Sequence, residues 1–126
     1  MLTENEIVAF VATANAEEAK MFYRDRLGLR LAGETEAALE FEVGDRPALL
    51  RVQKVAAVTP APYTALGWKV ADIADEVASL ARRGIVFERF EGMEQDALGI
   101  WHSPAGARVA WFKDPDGNTL SLTQFG

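Results

Sequence analysis

Apolar and polar positions follow two periods along this chain, and the same succession occurs twice. Ile7-Val8-Ala9-Phe10-Val11-Ala12 is an unbroken apolar run of strand length, which predicts a buried strand. Asn15, with Glu18 three positions on, has the spacing of an N-terminal capping pair. Behind it Ala19, Phe22, Tyr23 and Leu27 fall on one helical face, and Gly28 offers the left-handed stop. Three strand patterns follow over Leu29 to Glu34, Ala37 to Val43 and Ala48 to Gln53, with Gly44-Asp45 as a hairpin turn signal. In the second half Ala65 to Val70 reads as a strand and Asp72 as a cap. Ile73, Val77, Leu80 and Ala81 form the helical stripe, and Gly84 is the stop. Arg82 and Arg83 sit in the last turn, where positive charge suits the helix dipole. Strands are then predicted over Val86 to Phe90, Arg108 to Lys113 and Thr119 to Gln124. The last two are joined by Asp114-Pro115-Asp116-Gly117-Asn118, whose Pro presets φ and whose Gly permits φ > 0. The pattern therefore describes an α+β fold made of a repeated βαβββ module. Module one runs over about 5–54, a linker with two prolines over about 55–62, and module two over about 63–126.

Length and composition restrict what this duplicated scaffold can do. At 126 residues, 49% hydrophobic and 25% charged, the chain is sized for a single domain, 1–126. Nineteen acidic against thirteen basic residues leave a net charge of −6, the wrong sign for neutralising phosphates, so nucleic acid is not an expected partner. No apolar run approaches the roughly 18 residues of a membrane span. The acidic opening Met1-Leu2-Thr3-Glu4-Asn5-Glu6 is unlike the basic start of a secretory signal, so a cytoplasmic location is expected. Without cysteine there is no thiolate nucleophile or thiolate-bound zinc, and the lone histidine leaves a metal site short of imidazole.

Phe22-Tyr23-Arg24-Asp25-Arg26-Leu27-Gly28-Leu29 ending the first helix and Trp111-Phe112-Lys113-Asp114-Pro115-Asp116-Gly117-Asn118 near the C-terminus resemble the vicinal oxygen chelate superfamily. This is the glyoxalase, bleomycin-resistance and extradiol dioxygenase group, and the resemblance extends from about Ile7 to Phe125. Both motifs build scaffold and neither performs chemistry. The resemblance implies a cup-shaped mixed sheet with helices on the outside, and a homodimer. It also implies metal-ligand positions at Val8, Ala65 and Ser121, and at one of Leu50, Arg51 and Val52. None of these is a carboxylate or an imidazole. A divalent ion needs such donors to offset its dehydration, so neither a metal nor any other cofactor is expected. Glu40, Glu42, Gln53 and His102 are the remaining donors on or near strands; alternating acidic residues on a sheet read more simply as its solvent face.

With Val8 facing the cup, as the resemblance implies, strand alternation assigns further side chains to it. Val8 and Phe10 face it from the first strand. Ala65, Gly67 and Lys69 face it from the corresponding strand of module two, and Ser121 and Thr123 from the last strand; Leu50 and Val52 join them as ligand-binding residues from the stretch where the resemblance implies the fourth position. Trp68 is placed against a helix and Trp111 in the cup. Trp101 lies in a loop-rich stretch where its ring is free to stack on a planar ligand. His102 is the one side chain that ordinarily titrates near neutrality, yet no Ser, Asp or Glu stands at relay spacing, and it enters as a binding residue; no catalytic residue is assigned. A cup that is apolar and hydroxyl-lined suits an organic molecule. The expected function is metal-independent sequestration of a planar or aromatic ligand in the manner of bleomycin-resistance proteins, with the acidic composition favouring a cationic one. The alternatives are a lyase, isomerase or dioxygenase with displaced metal ligands, and a scaffold whose cup is filled by its own side chains.

Overall fold

The computed structural model describes residues 1–126 and divides into two compact units, Met1–Pro60 and Ala61–Gly126. In the first unit a 3-10 turn, Leu2–Glu4, precedes β1 (Val8–Thr13). Helix α1 (Ala16–Lys20) continues into a π-helical segment (Met21–Arg26), and β2 (Arg30–Glu34), β3 (Ala38–Val43) and β4 (Ala48–Lys54) follow. The second unit has β5 (Thr64–Lys69), α2 (Ile73–Arg82), β6 (Trp101–His102), β7 (Arg108–Lys113) and β8 (Thr119–Gln124). The sheet orders are β1-β4-β3-β2 and β5-β8-β7-β6. In both, the first strand runs parallel to the last and the other pairs are antiparallel. Each unit is thus one mixed sheet with one helical crossover, the βαβββ module expected from the pattern.

The local signals act where the sequence placed them. Asn15 Oδ1 accepts from the Glu18 N–H at 3.2 Å, while the Asn15 N–H donates to Thr13 Oγ1 at 3.1 Å. The reciprocal arm of the cap is therefore supplied by a strand threonine rather than by Glu18. Asp72 Oδ1 accepts from Asp75 N–H at 3.1 Å, and Gln124 Oε1 on β8 accepts from Ile73 N–H at 2.9 Å. These bonds satisfy amide groups at the start of α2 that have no intrahelical partner. Gly28 and Gly84, at φ of 76° and 89°, end the helical segments in the left-handed region.

One face of each sheet is packed by its helix. In the first unit Ala19, Phe22 and Tyr23 are buried with Val11, Leu39, Phe41, Leu50 and Val52, and the Tyr23 and Phe41 rings lie 5.9 Å apart. In the second, Ile73, Val77 and Leu80 of α2 are buried with Ala110, Phe112, Leu120 and Leu122. Trp68 stacks on Phe112 at 6.4 Å on that same side. Two expectations are corrected. The helix expected to run through Leu27 to Gly28 widens to π pitch over Met21–Arg26, with the Leu27 N–H donating to the Phe22 C=O. The strand expected over Val86 to Phe90 reduces to one bridge, Phe87 to Phe112. Side chains replace its ladder: Arg89 donates to the carbonyls of Asp96 and Ala97 at 2.7 and 2.6 Å, and Gln95 Oε1 accepts from Phe90 N–H at 2.8 Å.

No helix is long and apolar enough to cross a membrane.

Candidate functional site

The helix-free face of each sheet is where exposed side chains can meet a ligand, and register decides which residues reach it. In the first unit β1 pairs with β4 as Val8 with Leu49, Phe10 with Arg51 and Ala12 with Gln53. β3 adds Glu42 beside Leu49 and Glu40 beside Arg51. Val8 and Phe10 thus stand on this face, Phe10 being 51% exposed. Leu50 and Val52 do not. They are 2% and 0% exposed and point to the helix side, because the register puts the odd-numbered residues of β4 beside Val8 and Phe10. Residues not assigned to the ligand site take their place. Arg51 lies over the Phe10 ring, its Cζ 6.0 Å from the centroid, and its Nε is 3.3 Å from Glu40 Oε2. Arg30 faces Glu42 at 3.5 Å. This surface is covered by neutralised ion pairs.

The second unit presents a different face on the same scaffold. Gly67 pairs with Ser121 and Lys69 with Thr123; Ser121 pairs in turn with Trp111, and Thr123 with Val109; Val109 pairs with Trp101. Residues opposite one another across a ladder share a side. Gly67, Lys69, Ser121, Thr123, Trp111 and Trp101 are accordingly brought together. Trp101 and Trp111 lie with centroids 6.1 Å apart, and Phe90 meets Trp111 edge-on at 5.4 Å and 88°, a geometry that aromatic pairs favour. Phe90 was not foreseen, although alternation onward from Phe87, which packs on Phe112, points to it.

Gly67 has a structural reason for lacking a side chain. A Cβ there would lie 2.7 Å from Ser121 Oγ and 3.3 Å from the Ser121 carbonyl oxygen, so the close approach of β5 to β8 depends on it. One further expectation fails, and His102 lies off this face. Ala65 falls in a bulge between the pairs Thr64 with Thr119 and Leu66 with Leu120, which removes it from the alternation. His102 pairs with Arg108, which pairs with Gln124; since Gln124 bonds the start of α2, this row faces the helix side. The imidazole is 59% exposed, with Nε2 3.8 Å from Asp96 Oδ2. An open hollow of about 640 Å³ lined by Gly92 to Asp96, Ile100, Trp101 and His102 adjoins it.

A metal of the kind the fold family uses finds no matching donors. Val8, Ala65 and Ser121 supply no carboxylate or imidazole, and nowhere in the chain do three His, Asp or Glu side chains converge. On the first sheet Glu40 and Glu42 are each engaged by an arginine and Glu34 by Lys20 and Lys54. The residues present do not fit a divalent ion.

Comparison with known proteins agrees with the architecture. Among curated proteins none matches the chain. Among solved structures, a glyoxalase family protein from Bacillus anthracis is 18% identical with a TM-score of 0.74, covering 97% of this chain and 95% of that one. TnmS3, an antibiotic binding protein from Streptomyces sp. CB03234, is 23% identical with a TM-score of 0.73, covering 97% and 96%. A lactoylglutathione lyase from Agrobacterium tumefaciens is 19% identical with a TM-score of 0.66, covering 95% and 92%. At these identities the likeness is one of fold. The family model for the glyoxalase/bleomycin resistance protein/dioxygenase superfamily matches residues 5–122, and with the twice-used βαβββ module and the Asp114-to-Asn118 turn already described, the chain belongs to that superfamily.

Proposed function

We propose that the protein binds a planar aromatic small molecule on the helix-free face of its second unit, without a metal, and that it serves as a sequestering protein of the bleomycin-resistance type. The observation that carries this reading is the grouping of Phe90, Trp101 and Trp111 on one face with the half-buried Thr123, Ser121 between them being 7% exposed. Aromatic rings provide stacking area with little conformational entropy to lose, and hydroxyls orient a ligand through hydrogen bonds. The donor set described above supports a binding role over the superfamily's metal-dependent chemistries. TnmS3 is an antibiotic binding protein of like fold, and a similar role comes to this chain by analogy.

The three indoles test the reading within one molecule. Titration of the full chain with 2-naphthamide, a neutral bicyclic probe, is expected to shift the indole N–H resonances of Trp101 and Trp111. That of Trp68, which stacks on Phe112 on the helix side, should stay in place. Trp111→Ala is expected to weaken binding about tenfold, from the loss of about 1.4 kcal/mol of stacking and buried area. Absence of any shift at millimolar probe, or movement of Trp68 alone, contradicts the proposal. The homodimer that the family resemblance implies belongs to the same proposal, and sedimentation equilibrium at twice the monomer mass is its expected result.

A further inference from the structure

We infer that this aromatic face selects ligands carrying an anionic group, with Lys69 as the selecting charge; the inference rests on the reading of the face as a ligand site. The register places one row of residues across the sheet as Lys69, Thr123, Val109 and Trp101, and the neighbouring row as Gly67, Ser121 and Trp111. Lys69 therefore stands on the edge strand opposite the rings, with the two hydroxyls between. Two interstrand steps span about 10 Å. A bicyclic ring stacked on Trp111 and extended over Ser121 directs its far substituent toward the lysine. Gly67 presents no side chain in that path.

A count of charge on the face gives its sign. Lys113 shares the side of Trp111 and lies 3.8 Å from Glu88, so that pair is neutral. Lys69 is exposed and has neither an ion pair nor a hydrogen bond. No other carboxylate stands on these rows, so the charge is positive at the Lys69 end of the face, although Glu94 and Asp96 line the hollow at Trp101 and the whole chain carries −6. At contact distance the local charge decides, because a Debye length of about 8 Å at physiological salt screens the distant acidic residues. The cationic ligand suggested by overall composition would meet an unmatched ammonium here; a carboxylate, sulfonate or phosphate on an aromatic ring would meet its complement. The first unit's helix-free face offers no such feature, both of its arginines there being paired with glutamates.

Isothermal titration of the full chain with 2-naphthoate, 2-naphthamide and 2-naphthylmethylammonium varies charge on one ring. The expected order is naphthoate about fivefold tighter than naphthamide, the size of a partly exposed charge pair, with the ammonium compound weakest. The preference, read as the naphthoate-to-naphthamide affinity ratio within one variant, should vanish in Lys69→Met, persist in Lys69→Arg, and collapse at about 0.5 M salt. Equal affinities for all three probes, or a naphthoate preference surviving in Lys69→Met, overturn the charge inference and leave the ring site standing. No binding of any probe, with an oligomeric state that changes in Trp111→Ala, would assign the face to a second copy of the chain and overturn both readings.

Discussion

Gly67→Ala isolates one contact on which the proposed ligand face depends. The Cβ would stand 2.7 Å from Ser121 Oγ and 3.3 Å from Ser121 O, the first about 0.7 Å inside ordinary van der Waals contact. Backbone strain plays no part, since Gly67 is not among the positive-φ glycines. Relief comes either from rotating the Ser121 hydroxyl, at about 0.5–1.5 kcal/mol if it leaves its well, or from spreading β5 from β8, an overpacking cost of about 1–3 kcal/mol. Restricting the unfolded chain returns about 0.4–1 kcal/mol. The net expectation is a loss of about 0.3–1.3 kcal/mol, seen in urea unfolding as a lower midpoint with unchanged slope. Ser121→Ala removes the offending oxygen, so Gly67→Ala in that background should be neutral to slightly stabilising. The resulting coupling, which is the clash cost of about 1–2 kcal/mol, exceeds the roughly 0.5 kcal/mol within which independent sites add. Equal costs in both backgrounds would show that Ser121 does not set the spacing of these strands, and the account of Gly67 would be wrong.

Three other expectations follow from the same structure. Glu34 accepts from Lys20 at 2.7 Å and Lys54 at 2.8 Å, which holds its carboxyl down to about 2 from an ordinary 4.5. A lowered folded-state value means its contribution is complete above about pH 5 and is lost as pH falls toward 2. Acid titration of stability should therefore be shallower over that window in Glu34→Gln, and an unchanged acid limb would refute the pairing. Asp114 accepts from Asp116 N–H at 3.0 Å, Asn118 N–H at 2.9 Å and Asn118 Nδ2 at 2.8 Å. Asp114→Ala strands these partners near a buried turn and is expected to cost about 3 kcal/mol in chemical denaturation; a loss below about 1 kcal/mol would contradict this. Protein purified without chelator should retain no stoichiometric Fe, Mn, Ni or Zn after dialysis, measured by elemental analysis, and a retained equivalent would restore the enzyme reading.

Where a residue type has one physical use, the sequence announced it. Asn15 and Asp72 cap, Gly28 and Gly84 adopt positive φ, and Asp114-to-Asn118 turns, each by a bond or angle that depends on neighbours in the chain. Faces were legible where alternation was clean, as at Ser121 and Thr123; Val8 and Phe10 lie in an unbroken apolar run, and their face followed from the position that the family resemblance implies at Val8. Strand β4 begins Ala48-Leu49-Leu50, apolar on both sides, so its parity rests on pairing with β1, which no local pattern contains. Arg51 between Leu50 and Val52 was the available clue. The bulge at Ala65 and the two-residue strand holding His102 are products of tertiary fit. The π-helical widening was hidden for another reason: an apolar stripe looks alike at either pitch.

The two units show why scaffold and function must be argued separately. Both have the same strand order and both cover one face with a helix, so packing leaves the other face free to vary. In the first unit that freedom is taken up by Arg51 with Glu40 and Arg30 with Glu42, charges that complete one another and leave a ligand little to satisfy. In the second, aromatic rings stand at one edge and an unpaired ammonium at the other, with hydroxyls between. Half-buried rings and an unmatched charge contribute less to folding than fully buried or paired groups, whereas covering the rings with a ligand and pairing the charge would both lower free energy. Stability that a protein leaves unclaimed on one face is available to drive binding there, and a residue-by-residue comparison of the two faces locates it in the second unit.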